Sequence, residues 1–300
     1  MQQVLYKIVF MKTLGALEAG GTKMICAIGD ETGKIGERIS IPTTTPAETV
    51  PPMIDFFRDK GIEALGIACF GPVDPDPASK TYGRILKTPK LPWRDYDIVG
   101  AFREALGVPV GFDTDVNGSL LGEITFGASK GIRNAVYYTI GTGIGAGIMS
   151  EGNLLHGMQH AEAGHILMRP VAGDSFQGCC PSHAGCLEGM ASGPAIEQRW
   201  GAGGKELADK KEVWELESDY LAQAMLATIM MLSPEVIILG GGVMAQEQLF
   251  PLIREKTLKL LNGYLDTPQL RDIDRYIVPA SLHGDQGICG CLKLAADALS

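Results

Sequence analysis

The residues between Glu162 and Glu188 include the side chains best suited to chemistry. His165, Cys180, His183 and Cys186 stand there, and the last three follow C-x2-H-x2-C. Two thiolates and two imidazoles form the donor set that a four-coordinate structural zinc accepts. The glycines and prolines around them suit a loop that needs a metal to hold its shape. Cys179 could replace Cys180, although the two-residue spacing favours Cys180. Four protein donors leave no open position, so this zinc would be structural and not catalytic. Glu162 and Glu188 flank the loop, and a zinc would draw both glutamates toward one place. Ordinary surface charge is the alternative reading for them.

Three glycine-rich turns form a second group, each after an apolar strand: Gly20–Gly21–Thr22, Gly141–Thr142–Gly143 and Gly240–Gly241–Gly242. Glycine lets backbone N–H groups approach a phosphate closely. A single such turn is more often only a tight turn, but two of these share the same strand-turn-strand setting. The simple nucleotide motifs fail. Gly15 to Gly20 has P-loop spacing, but Gly21 stands where the lysine belongs, and the residues after it read as a strand. GTGIGA at 141–146 is likewise followed by a strand, which argues against a dinucleotide-binding dehydrogenase. Two hairpins with Gly/Thr tips, one per domain, would instead clamp phosphates.

A third group is Asp113 and Asp115 in GFDTDVNG. They end a predicted strand, where α/β sheets bind ligands. Asp113 suits a helix N-cap, which leaves Asp115 to face a cleft.

The positioning elements read as strands over Thr13–Ile41 with two turns, a helix over Pro46–Lys60 with Pro51 and Pro52 near its first turn, and a strand over Leu65–Phe70. A helix over Asp97–Leu106 and a strand over Val108–Phe112 follow. The opening pattern recurs at Ala135–Ser150, which suggests a duplicated domain. Further helices are expected at Asp219–Leu232, Gln246–Leu261 and 288–299, with strands at 235–240 and Tyr276–Pro279. Alternating strands and helices indicate an α/β fold in two domains. These span 1–120, with the helix at 288–300 able to pack back on it, and 121–287, which holds the metal loop at 165–186. The boundary is expected near Gly118–Gly122.

The 300 residues are 45% hydrophobic and 20% charged, with a formal net charge of −9 and no long basic run. Nucleic acid is therefore not an expected partner. No apolar run is long enough to span a bilayer, and MQQVLYKIVFMK lacks signal-peptide layout, so a cytoplasmic location is expected. That segment reads as an extra strand or a leader, with Met11 an alternative start. Cys26, Cys69, Cys289 and Cys291 sit among apolar or glycine residues and read as reduced, packed thiols.

From about Leu14 onward the chain resembles the ROK family of bacterial sugar kinases, within the actin-like, hexokinase and heat-shock chaperone ATPase superfamily. The resemblance rests on EAGGTK, GP at 71–72, DTDVNGSLLGE, TIGTGIGAGI, EAGHI, CPSHAGCLEG and ILGGGV, in that order. EAGGTK, DTDVNG and CPSHAGCLEGMASGPAIE look most like the bacterial fructokinases of that family. The resemblance implies a two-domain, ribonuclease H-like fold with a duplicated βββαβα core and an interdomain cleft holding ATP·Mg2+. It implies that Gly20, Gly21, Thr22, Gly141, Thr142 and Gly143 surround the phosphates, with Lys23 assisting at most. Gly240–Gly242 would approach the adenosine. Asp115 would be the general base for the sugar's primary hydroxyl, and Thr114, Glu162, His165 and Glu188 would hold the sugar, with His165 also on zinc. A homodimer is implied as well.

Three residues depart from the broad family pattern. Glu18 replaces the usual Asp near Mg2+. Thr114 replaces the Asn of many glucokinase-like members, which favours fructose over glucose. His183 replaces a cysteine, which makes the zinc set Cys2His2. Mannose, glucose or N-acetylmannosamine are the alternative sugars. Sugar-responsive regulators of the family carry an N-terminal helix-turn-helix module; about thirteen residues precede the first hairpin here and the charge is acidic, so a non-catalytic regulator is the less expected alternative. A hydrolase using the His/Cys cluster is a further alternative.

Overall fold

The computed structural model describes residues 11–300, so the strand or leader read over the first ten residues lies outside them. The chain forms two compact units, one running to Asp115 and resuming at Gly287–Ser300, the other Val116–Gln286. The division stands close to Gly118–Gly122, a stretch that is the buried middle of a helix.

In the first unit β1 (Leu14–Ala19), β2 (Lys23–Gly29), β3 (Ile35–Pro42), β4 (Ala64–Cys69) and β5 (Val110–Thr114) form one sheet, in the order β3-β2-β1-β4-β5. The hairpin strands β1, β2 and β3 are antiparallel, whereas β4 and β5 run parallel to β1. β4 is buried along its whole length, as a central parallel strand must be. Helix α1 (Pro46–Arg58) buries Val50, Met53 and Phe57, and Phe57 meets Phe102 of α2 (Ile98–Leu106) edge to face. Pro51 and Pro52 lie inside α1 and not at its first turn. Both are exposed, so the carbonyls they leave unpaired can be hydrated. Asp97 caps α2 by accepting the Gly100 N–H at 2.7 Å.

Asp113, expected at a helix cap, stands in a strand. It lies within β5, buried, where its carboxylate accepts the Thr114 N–H at 2.7 Å. The next helix, α3 (Asp115–Phe126), starts two residues later.

The second unit repeats the connectivity. Its strands β6 (Ala135–Ile140), β7 (Ile144–Ser150), β8 (Asn153–Leu154), β9 (Val236–Gly240) and β10 (Ile277–Pro279) form a sheet ordered β8-β7-β6-β9-β10. Again an antiparallel hairpin strand pairs in parallel with the strand beyond it. The helices are α4 (Leu187–Ala191), α5 (Gly193–Trp200), α6 (Lys211–Leu232), α7 (Leu249–Leu261), and the short α8 (Pro268–Arg271) and α9 (Ile273–Tyr276), which the sequence reading did not foresee. α6 begins eight residues before Asp219, since Val213, Trp214 and Glu217 are buried despite the charges between them. α7 begins at Leu249 and not Gln246. A 3-10 turn over Gly242–Ala245 comes first, and Gln246 spends its side chain on the Gly204 carbonyl at 3.0 Å.

The last helix, α10 (Gln286–Asp297), belongs to the first unit from Gly287 onward. It buries Ile288, Cys291, Leu292 and Ala295 against Leu14, Ala16, Ala64 and Ala68. Small side chains on β1 and β4 let it lie close to the sheet. Among the described residues no helix is long and apolar enough to cross a membrane.

Candidate active site

In the first unit the Gly20 N–H donates to the Lys23 carbonyl at 3.1 Å, closing the first hairpin. Thr43 backs that turn. Its N–H donates to the Thr22 carbonyl at 3.0 Å and its hydroxyl to the Gly20 carbonyl at 2.8 Å. Two carbonyls of the tip are thereby engaged, which favours an anion over a cation at the exposed side. Thr22 and Lys23 are exposed. Lys90, which the sequence reading passed over, reaches this tip: its Nζ lies 3.7 Å from where a Cβ on Gly21 would stand.

Glu18 of β1 and Asp113 of β5 are both in register with Ala68 of β4, one on each side. The Glu18 carboxylate packs on Gly287, in the first turn of α10. Thr114 is buried and Asp115 is half-buried. Cys69 and Cys291 lie close by, and burial pushes both thiols well above the usual range. The charge of Asp115 adds to this for Cys69, and that of Glu18 for Cys291. These thiols are packing groups, not nucleophiles.

In the second unit the start of β7 collects the other candidates. Gly164 is pressed against the chain there, so a Cβ on it would fall 1.8 Å from the Ile144 carbonyl oxygen. No side chain fits, and this contact fixes the short turn that carries Glu162 and His165. Glu188, in the first turn of α4, accepts the Ile144 N–H at 3.0 Å. The second hairpin is closed by Gly141 N–H to Gly143 carbonyl at 2.9 Å, leaving Thr142 exposed. Gly193 at the start of α5 donates to the Gly141 carbonyl at 2.7 Å. Gly241 has φ of 92°, and a Cβ there would strike the Ile140 backbone at 2.4 Å. Gly240–Gly242 and Gly141–Gly143 are thus brought together.

His165, Cys180, His183 and Cys186 place one ligand atom each within 4.8 Å of all the others. Cys179 stands outside this set, and its N–H donates to the Gly189 carbonyl. Cys186 Sγ lies 3.5 Å and Cys180 Sγ 3.7 Å from His165 Nδ1. The limbs are zipped by Met168 N–H to Gly185 carbonyl at 3.0 Å and Leu187 N–H to Ile166 carbonyl at 2.9 Å. Burial raises the Cys186 thiol to about 11, so a metal arriving there displaces a firmly held proton. Cys186 also accepts the Gly189 N–H as the cap of α4, two residues before Glu188. One short helix therefore links a metal donor to a sugar candidate.

Three further side chains join this region. His160 is buried, with Nδ1 3.5 Å from Glu162 Oε1. Asn117 Nδ2, in the first turn of α3, lies 3.4 Å from His156 Nε2. Their signal in the sequence was nearness alone: Asn117 follows Asp115 by two residues and His160 precedes Glu162 by two.

The ROK family model matches residues 14–298. The chain belongs to the ROK family. A relative of this ROK protein from Bacillus subtilis (strain 168) is 50% identical over 287 residues, covering 95% of this chain and 96% of its own. The fructokinase of Pediococcus pentosaceus is 46% identical, over 95% of this chain and 98% of its own. Among solved structures, a ROK family glucokinase from Streptomyces griseus, in complex with glucose and AMPPNP, matches with a TM-score of 0.74. It is 25% identical and covers 96% of this chain and all of that one. The twin five-stranded sheets are those of the actin-like ATPase fold expected from the motifs.

Proposed function

We propose that this ROK protein transfers the γ-phosphoryl group of ATP to the 6-hydroxyl of D-fructose. The carrying observation is likeness over 95% of the chain to a fructokinase. In this reading Asp115 takes the proton of the primary hydroxyl as its oxygen bonds to the γ-phosphorus. The bond to the bridging oxygen breaks and ADP leaves. Such loose transition states need positioning and charge neutralisation more than covalent help. The turns Gly20–Thr22 and Gly141–Gly143 face phosphate through threonine hydroxyls and through N–H groups other than those of Gly20 and Gly141, which close the two hairpins, with Lys23 assisting. Gly240–Gly242 approach the nucleoside. Thr114, Glu162, His165 and Glu188 read the sugar hydroxyls, and Glu18 would supply a carboxylate near Mg2+, which would neutralise phosphate charge.

The donor set of His165, Cys180, His183 and Cys186 fits one zinc ion, whose bonds to N and S run about 2.0–2.3 Å. Zinc would supply only shape. It would hold His165 and the start of α4, and through them Glu188. The family resemblance supports a cytoplasmic homodimer, which a sedimentation measurement of mass tests.

A coupled ATP assay over fructose, mannose, glucose and N-acetylmannosamine, with metal-replete protein, tests the substrate. The expected result is the highest kcat/KM for fructose. A higher kcat/KM for glucose overturns fructose as the substrate.

A further inference from the structure

Lys90 stands on the loop between β4 and α2, outside every motif above. Its Cε lies 3.1 Å and its Nζ 3.7 Å from the Cβ position of Gly21, so the side chain runs across the tip of the first hairpin. The ammonium also stands 6.0 Å from the centre of the Phe70 ring. Among the described residues no carboxylate pairs with it; the nearby positive charge is uncommitted.

This placement is built rather than incidental. Trp93 is fully buried, and its N–H donates to the Lys90 carbonyl at 2.9 Å. The Trp93 indole N–H donates to the Thr44 carbonyl at 2.8 Å, and its ring meets Phe70 edge to face at 6.0 Å. Thr44 adjoins Thr43, which holds the carbonyls of Gly20 and Thr22. The Lys90 N–H donates to the Thr88 hydroxyl at 3.3 Å, and Thr88 is buried. Hydrogen bonds, with the peptide link from Thr43 to Thr44, thus connect the hairpin through Trp93 to the Lys90 backbone. These bonds fix the point on the loop from which the Lys90 side chain leaves toward the hairpin tip.

We propose that Lys90 is a catalytic residue that binds the triphosphate at the tip of the first hairpin and neutralises charge there during phosphoryl transfer. The proposal rests on the reading of Gly20–Thr22 as a phosphate site. The charge on the departing β-phosphate oxygen and on the γ-phosphoryl oxygens grows as the bridging P–O bond breaks. A fixed cation at that place costs no reorganisation when it does. Lys90 stays protonated throughout, and the hydroxyl proton goes to Asp115.

The test is steady-state kinetics of K90M and K90R beside wild type, with ATP·Mg2+ affinity by calorimetry and thermal melting. K90M is expected to lower kcat by about 10²–10³-fold, the loss typical for one preorganised charge-stabilising group. It should weaken ATP·Mg2+ binding, leave KM for fructose within threefold, and melt near wild type. K90R should recover at least tenfold of the lost kcat. A folded K90M with kcat and ATP·Mg2+ affinity within twofold of wild type overturns the proposal. If K90M does not fold, K90R against K90Q carries the same comparison. G20A, whose methyl would meet the Lys23 carbonyl at 2.6 Å, separates the two readings. Damage by G20A with none by K90M removes Lys90 alone, whereas no effect of either in folded protein removes the hairpin as well.

Discussion

The carboxylate of Glu188 accepts the backbone N–H of Ile144 at 3.0 Å, and Oε2 would lie 2.9 Å from a Cβ on Gly143. A residue expected to read the sugar is therefore also a brace of the phosphate hairpin. Glu188→Ala removes both functions. A hydrogen bond to a charged group contributes about 1.5–3 kcal/mol, so the expected rise is tenfold or more in KM for fructose and severalfold in KM for ATP. Glu188→Gln keeps an acceptor for Ile144 and should raise the fructose KM with much less effect on ATP. Equal effects of both variants on both KM values would separate Glu188 from the hairpin.

Metal content distinguishes the two adjacent cysteines. Cys180 is in the donor set and Cys179 is not. Cys179→Ser should keep about one zinc per chain by elemental analysis, and Cys180→Ser or Cys186→Ser should lose it, together with fructose turnover. Chelator-treated wild type should behave like Cys186→Ser and recover on adding zinc. Zinc lost from Cys179→Ser and kept by Cys180→Ser would reverse the assignment.

The donor spacing and both Gly/Thr hairpins were legible because they are local: each is written in a few consecutive residues. What stayed hidden is carried by contacts distant in the chain. Lys90 meets Gly21 across 69 positions, and nothing in KTPKLPW marks that approach. Gly164 was visible as a glycine, but only the fold shows that the Ile144 backbone occupies the space of its missing side chain. Glu123 stood inside a quoted motif without a role. It is buried and accepts the N–H groups of Ser281 at 2.7 Å and Leu282 at 3.0 Å, anchoring the loop before α10. Asp113 was expected outside the strand because the strand runs two residues further than its apolar pattern does.

Glu217 predicts a pH effect on stability. It is buried on α6, and among the described residues neither of its carboxylate oxygens has a hydrogen-bond partner. Burial pushes its carboxyl well above the ordinary 4.5, against the pull of Arg199. The Arg199 charge is committed to Asp174, at 3.3 Å, with both side chains nearly sealed from solvent. The folded state therefore holds a proton that the unfolded state releases near pH 4.5, so stability contributed by the neutral carboxyl is lost as pH rises above that value. Each pH unit in the window costs about 1.4 kcal/mol. Glu217→Gln should gain in melting temperature relative to wild type as pH goes from 5 to 8. A difference that is flat or shrinks over that range would contradict the neutral carboxyl.

The general base is the centre of the proposed chemistry, and Asp115→Asn tests it most directly. The measurement is single-turnover transfer from ATP to fructose, with zinc content and ATP·Mg2+ affinity measured on the same preparation. A general base contributes about 10²–10⁴-fold, so transfer should slow by that factor while zinc stays near one per chain and nucleotide binding holds. Transfer within threefold of wild type in folded, zinc-loaded Asp115→Asn would contradict the account.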